Sequence, residues 1–98
     1  MATLSTHILD TAEGRPARGV TVTLLDADGA TLAEWVTDDD GRIGALGGDL
    51  PVGTYRLRFD LDGPFYPEVV VAFRITADEH HHVPLLLSPF GYSTYRGS

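Results

Sequence analysis

Apolar and polar residues alternate with a period of two along most of this chain. Leu4, Thr6 and Ile8 alternate with Ser5, His7 and Leu9 up to Asp10, the pattern of a strand with one buried face. After a turn-rich stretch with Glu13, Gly14, Pro16 and Gly19, Val20, Val22 and Leu24 alternate with Thr21 and Thr23. Asp28-Gly29 marks a hairpin turn, residues 31–37 return, and Asp38-Asp39-Asp40-Gly41 closes the next turn. The glycine-rich stretch 41–53, with Pro51, reads as loop. Tyr55, Leu57, Phe59 and Leu61 then alternate with Arg56, Arg58 and Asp60 until Asp62-Gly63-Pro64 breaks the strand. From Glu68 to Ile75, Val69, Val71 and Phe73 share one face, and Val70, Ala72 and Arg74 the other. Residues 80–87 and 92–98 form the last two strands, joined through Ser88-Pro89-Phe90-Gly91.

Seven or eight short strands with turns about every ten residues predict an all-β, two-sheet antiparallel sandwich. It forms one domain over residues 1–98. Only residues 31–37 carry any helical pattern, and they are too few to alter that class. The final stretch, LLLSPFGYSTYRGS, is apolar, then aromatic, then basic. It reads as a strand built into the structure rather than as a frayed tail.

Composition narrows the function. A chain of 98 residues buries only roughly 60–68% of its unfolded surface, so its core is modest and self-association adds to it. A net charge of −7 argues against nucleic acid or an anionic membrane as partner. Without cysteine there is neither thiol chemistry nor a disulfide framework. MATLSTHILD lacks the basic and apolar regions of a signal peptide, and no apolar run has the length that crosses a bilayer. A soluble cytoplasmic domain is expected.

Histidine leads the candidate chemistry, because its charge changes near neutral pH. In a strand, His80 and His82 point to one face and His81 to the other, while His7 lies opposite the Leu4–Thr6–Ile8 face. These residues are either solvated strand surface or a site. A metal site needs three convergent neutral imidazoles, which His7, His80 and His82 supply only if their two strands lie side by side. No Gly-x-Ser-x-Gly elbow is present, and no glycine-rich phosphate loop precedes a helix. Arg42 is either paired with the aspartates of its turn or a guanidinium fork for a planar, oxygen-rich substrate. Arg56, Arg58 and Arg74 read as solvated.

Several segments together resemble the transthyretin-related 5-hydroxyisourate hydrolase family. They are Thr6-His7-Ile8-Leu9-Asp10, the Gly-Arg-Pro-Ala-Arg-Gly-Val run at 14–20, Asp40-Gly41-Arg42 and Phe65-Tyr66-Pro67-Glu68-Val69. The most specific are His82-Val83-Pro84-Leu85-Leu86-Leu87-Ser88-Pro89 and Tyr92-Ser93-Thr94-Tyr95-Arg96-Gly97-Ser98. The resemblance covers nearly the whole chain, in the family's order.

The resemblance implies a transthyretin-like (prealbumin-like) sandwich that assembles into a homotetramer, with active sites in a central channel at the dimer–dimer interface. It implies His7, Arg42, His82 and Ser98 as the site, with Tyr95 a secondary substrate-binding position, and gives His80 and His81 no catalytic part. The expected reaction opens 5-hydroxyisourate to 2-oxo-4-hydroxy-4-carboxy-5-ureidoimidazoline in urate degradation, with no metal or cofactor. His7 and His82 would share the acid and base roles. Arg42 would stabilise the oxyanion, and Ser98, by hydroxyl or α-carboxylate, would orient the network. Residues 60–64 leave no room for the short helix of relatives, so it is expected to be missing or reduced to a turn. The alternative is a non-catalytic transthyretin-like carrier of a small ligand.

Overall fold

The architecture, seen in a computed structural model that describes residues 2–97, is two facing β-sheets. β1 (Thr3–Asp10) is central to one sheet. On one side it pairs with β2 (Arg15–Pro16) and β5 (Arg42–Ile43); on the other it pairs with β8 (His80–Ser88), which also holds β9 (Gly91–Thr94). The second sheet has the order β4 (Thr31–Val36), β3 (Thr21–Leu25), β6 (Gly53–Asp60), β7 (Glu68–Ile75). The pairings are antiparallel except that of β1 with β8, which is parallel. No helix occurs among the described residues.

The period-two pattern closes the core. Leu4 and Ile8 meet Val22, Leu24, Leu57, Phe59, Val69, Ile75 and Leu85 between the sheets, all essentially fully buried. Each such side chain contributes about 1.5–3 kcal/mol through loss of apolar surface to water. Residues 31–37 are strand through Val36, not helix. Arg56 and Arg58 are half-buried rather than solvated. Arg56 Nη1 donates to the Ala27 carbonyl at 3.1 Å, and Arg58 lies 3.6 Å from the Asp60 carboxylate.

Where relatives were expected to carry a short helix, the chain reverses tightly instead. Leu61 and Asp62 N–H groups both donate to the Pro67 carbonyl, at 2.9 and 3.0 Å, and Gly63 N–H donates to Tyr66. Asp62 takes φ 49° to make the bend, a left-handed conformation that aspartate tolerates better than most residues.

The terminal strand is shorter than its pattern suggests. β9 ends at Thr94, and pairing with β8 resumes only at an isolated bridge between His82 and Gly97. The register on either side of the gap is the same. Pro84 stands in the gap, and proline has no N–H to give a partner strand. Its carbonyl instead accepts the Thr94 hydroxyl at 2.7 Å.

Candidate functional site

The parallel β1–β8 pairing and the short β5 strand assemble the site. Across β1, Thr3 stands opposite His80, Ser5 opposite His82 and His7 opposite Pro84. On the other side of β1, His7 stands opposite Arg42. Leu4, Thr6 and Ile8 turn inward, so Thr3, Ser5 and His7 belong to the outer face, as do His80 and His82.

Arg42 is delivered by its turn. The Asp38 carboxylate accepts the N–H groups of Asp40 and Arg42, each at 2.9 Å, and Gly41 N–H donates to the Asp38 carbonyl at 2.9 Å. Gly41 takes φ +70°, and a Cβ there would lie 2.5 Å from the Ile8 carbonyl oxygen. Only glycine lets the turn lie this close against β1. Asp38 thus serves the backbone, while Asp39 lies 3.9 Å from the Arg18 guanidinium. Among the described residues the Arg42 guanidinium makes no hydrogen bond or ion pair, and it is exposed.

Ser5 Oγ lies 2.7 Å from His80 Nε2 and 2.8 Å from His82 Nδ1, and Thr3 Oγ1 lies 2.6 Å from His80 Nδ1. Ser5, Thr6, Arg42, Ile43, Gly44, His80 and His82 line an open concavity of about 260 Å³. Partial burial, then the charge of Arg42, then His7 and His80, hold the His82 imidazole below its ordinary value of 6.5; a hydrogen bond to the Ser5 backbone partly opposes this. These surroundings favour the neutral form of His82 beside the Arg42 cation.

The C-terminal segment braces His82 from the other side. Gly97 N–H donates to the His82 carbonyl at 2.8 Å, and Arg96 Nη2 is 2.7 Å from Glu79 Oε1. Ser98, next in sequence, lies outside the described residues. Tyr95 is exposed and borders a different hollow, shared with Val71, Phe73, Arg74 and His82, rather than the Arg42 concavity. His81 turns inward and is buried. Its Nδ1 lies 3.0 Å from the Glu79 carbonyl, while its Nε2 has no partner among the described residues.

Of the residues singled out in the sequence, His7, Arg42 and His82 share one sheet face. The two histidine-bearing strands do lie side by side, with the Ser5 hydroxyl between His80 and His82. Ser5 was given no role by the sequence, and His80 only that of a possible metal ligand beside His7 and His82, with no catalytic part from the resemblance. Alternation already set Ser5 on the His7 face and His80 on the His82 face; what was missing was the pairing of the two strands.

A two-sheet sandwich of this topology is transthyretin-like in class. The HIUase/Transthyretin family matches residues 4–97, and the chain belongs to that family. It is 49% identical to the 5-hydroxyisourate hydrolase of Caulobacter vibrioides, with both chains covered in full. That alignment spans 115 positions, more than the 98 residues of this chain, so the relative carries segments absent here. Klebsiella pneumoniae 5-hydroxyisourate hydrolase superposes with a TM-score of 0.90 at 42% identity, over 98% of this chain and 99% of the other. Sea bream transthyretin, solved with thyroxine, gives 0.87 at 34%, over 96% and 93%.

Proposed function

We propose that this chain hydrolyses 5-hydroxyisourate to 2-oxo-4-hydroxy-4-carboxy-5-ureidoimidazoline, as one domain acting in urate degradation. The observation that carries the reading is the convergence of His7, Arg42 and His82 on one sheet face, in a chain with full-length relatives named for that activity.

His82 Nδ1 is engaged by Ser5, which leaves Nε2 for the reaction. In the proposed cycle Nε2 takes a proton from water, and the hydroxide adds to the ring amide carbonyl. The Arg42 fork holds the oxyanion that forms. Collapse of the adduct breaks the ring C–N bond. His7 gives the departing nitrogen its proton and recovers one from the carboxylic acid that forms, so the products are a carboxylate and a ureido arm on one molecule. Ser98, following the braced Gly97, orients this network, and Tyr95 contributes to substrate binding from beyond His82. No step calls for a metal or cofactor.

The concavity lies open on one sheet face, and a site this shallow neither buries a substrate nor excludes water by itself. This supports a homotetramer whose second dimer closes the site. The exposed apolar residues Val70 and Tyr92 on the edge strands β7 and β9 support edge pairing within each dimer. The cysteine-free composition supports a cytoplasmic setting.

The test is spectroscopic. With 5-hydroxyisourate generated from urate in situ, the protein should speed its ultraviolet decay. Unchanged decay in the presence of folded protein overturns the hydrolase reading, and ligand binding without turnover would favour the carrier.

A further inference from the structure

Ser5 is buried beneath two imidazoles and touches both: its Oγ is 2.7 Å from His80 Nε2 and 2.8 Å from His82 Nδ1. A serine hydroxyl has one proton and donates to at most one of the two ring nitrogens, so at least one imidazole must present an N–H to it. The tautomers of His80 and His82 are therefore tied together. Thr3, 2.6 Å from His80 Nδ1, extends the chain outward.

We propose that Ser5 and His80 complete a hydroxyl-bridged proton relay that moves positive charge from His82 to solvent-facing His80 during turnover. This rests on the hydrolase reading above. In the base-ready state, His82 Nδ1–H donates to Ser5, Ser5 donates to His80 Nε2, and His80 Nδ1–H donates to Thr3. His82 Nε2 is then bare. When Nε2 takes a proton from water, the Nδ1 proton passes to Ser5 and the Ser5 proton passes to His80 Nε2. His82 ends neutral, and His80 holds both ring protons and the charge. His80 then releases its Nδ1 proton to solvent, and the Thr3 hydroxyl turns to donate to the bare nitrogen. One proton enters at His82 and one leaves at His80. Before the next turnover His80 Nδ1 takes a proton back from solvent, the two bridging protons shift in reverse, and His82 Nε2 gives up its proton to water, which restores the base-ready state.

The surroundings explain why such an export helps. His82 is faced by Arg42 from β5 and His7 from β1, besides His80 on its own strand, and all three oppose a charge on it. His80 is exposed to water, where an imidazolium is far cheaper to hold than beside a guanidinium. Ser5 and His80 are thus positioning and relay residues for His82.

The test compares Ser5→Ala, Ser5→Thr, His80→Ala and the Ser5→Ala/His80→Ala double variant. With the relay, Ser5→Ala and His80→Ala each lower kcat by about 10- to 100-fold with KM changed by less than about threefold, since proton transfer is impaired and binding is not. Ser5→Thr keeps the hydroxyl and retains most activity. The double variant is no worse than either single one, because one wire is cut twice. Nitrogen-15 spectra of the imidazoles should show His82 Nδ1 and Nε2 responding to the titration of His80 in the wild type and not in Ser5→Ala. Wild-type kcat in His80→Ala, or a His82 ring that ignores His80 in the wild type, overturns the relay. Should Ser5→Ala fail to fold, the exposed His80→Ala carries the kinetic test. Wild-type protein without hydrolase activity overturns the hydrolase reading instead, and the imidazole spectra still decide whether the two tautomers are linked.

Discussion

Gly97 lies against the imidazole of His82 so closely that no other residue fits: a Cβ at position 97 would stand 2.5 Å from His82 Cδ2 and 3.2 Å from Cγ. The same glycine donates its N–H to the His82 carbonyl. Backbone and ring of His82 are therefore held by one residue of the C-terminal segment. In Gly97→Ala, either the segment lifts away or the imidazole rotates off the Ser5 hydroxyl. A displacement of about 1 Å at a reacting group costs about 100-fold. The expected result is a fall of that order in kcat/KM with little change in the urea midpoint, because the core between the sheets is untouched.

Gly41→Ala should behave differently, losing stability as well as activity. The new methyl would meet the Ile8 carbonyl at 2.5 Å, on a residue held at φ +70°. Strained left-handed backbone costs of order 1–3 kcal/mol, and the clash pushes the turn away from β1. The hydrogen bond from Ile8 N–H to the Gly41 carbonyl, 2.8 Å, is lost with it. Urea unfolding should report about 1–3 kcal/mol of destabilisation, and kcat/KM should drop because Arg42 no longer stands opposite His7.

Much of this arrangement was legible in the chain. Alternation assigned Leu4, Thr6 and Ile8 to the core, and Ser5 and His7 to the other face, as found. It separated His81 from its two neighbours. It did not reveal that β1 pairs with β8 in parallel, because a period of two identifies a face and says nothing about which strand lies alongside or in which direction. That pairing, across 77 residues of chain, is what joins Ser5 to His80 and His82. β9 stops at Thr94, short of its alternating pattern, for a local reason. Pro84 interrupts the ladder from the partner strand, and nothing in residues 92–98 records this.

His82 also makes the protein's pH response predictable. Its imidazole binds a proton less readily in the folded chain than in the unfolded one, through burial first and Arg42 second. Above the unfolded value of about 6.5 both states are neutral and the residue contributes no pH dependence. As pH falls below it, the unfolded chain takes the proton first, so His82 lowers stability on acidification until the folded value is passed. Imidazole titration by NMR should place the His82 midpoint below 6.5 and move it upward in Arg42→Gln. The acid limb of kcat/KM in the wild type should track the same midpoint. A limb at or above the ordinary histidine value would remove His82 from the role of base.

Arg42→Lys tests whether charge alone suffices. The wild-type guanidinium is exposed and, among the described residues, uncommitted, with its backbone held by Asp38. Lysine keeps the charge and so keeps His82 neutral, but it replaces a planar fork with a single point donor. On the proposed role of Arg42, a paired hold on the oxyanion is lost while the pH profile is kept. Loss of one preorganised donor to an oxyanion costs about 100- to 1,000-fold in kcat. The expected signature is therefore a fall in kcat of about 100-fold with the acid limb of the pH profile unmoved. Arg42→Gln should lower kcat at least as far and also shift that limb upward. If Arg42→Lys retained full activity, Arg42 would serve only as a charge beside His82, and the oxyanion would have to be held by another group.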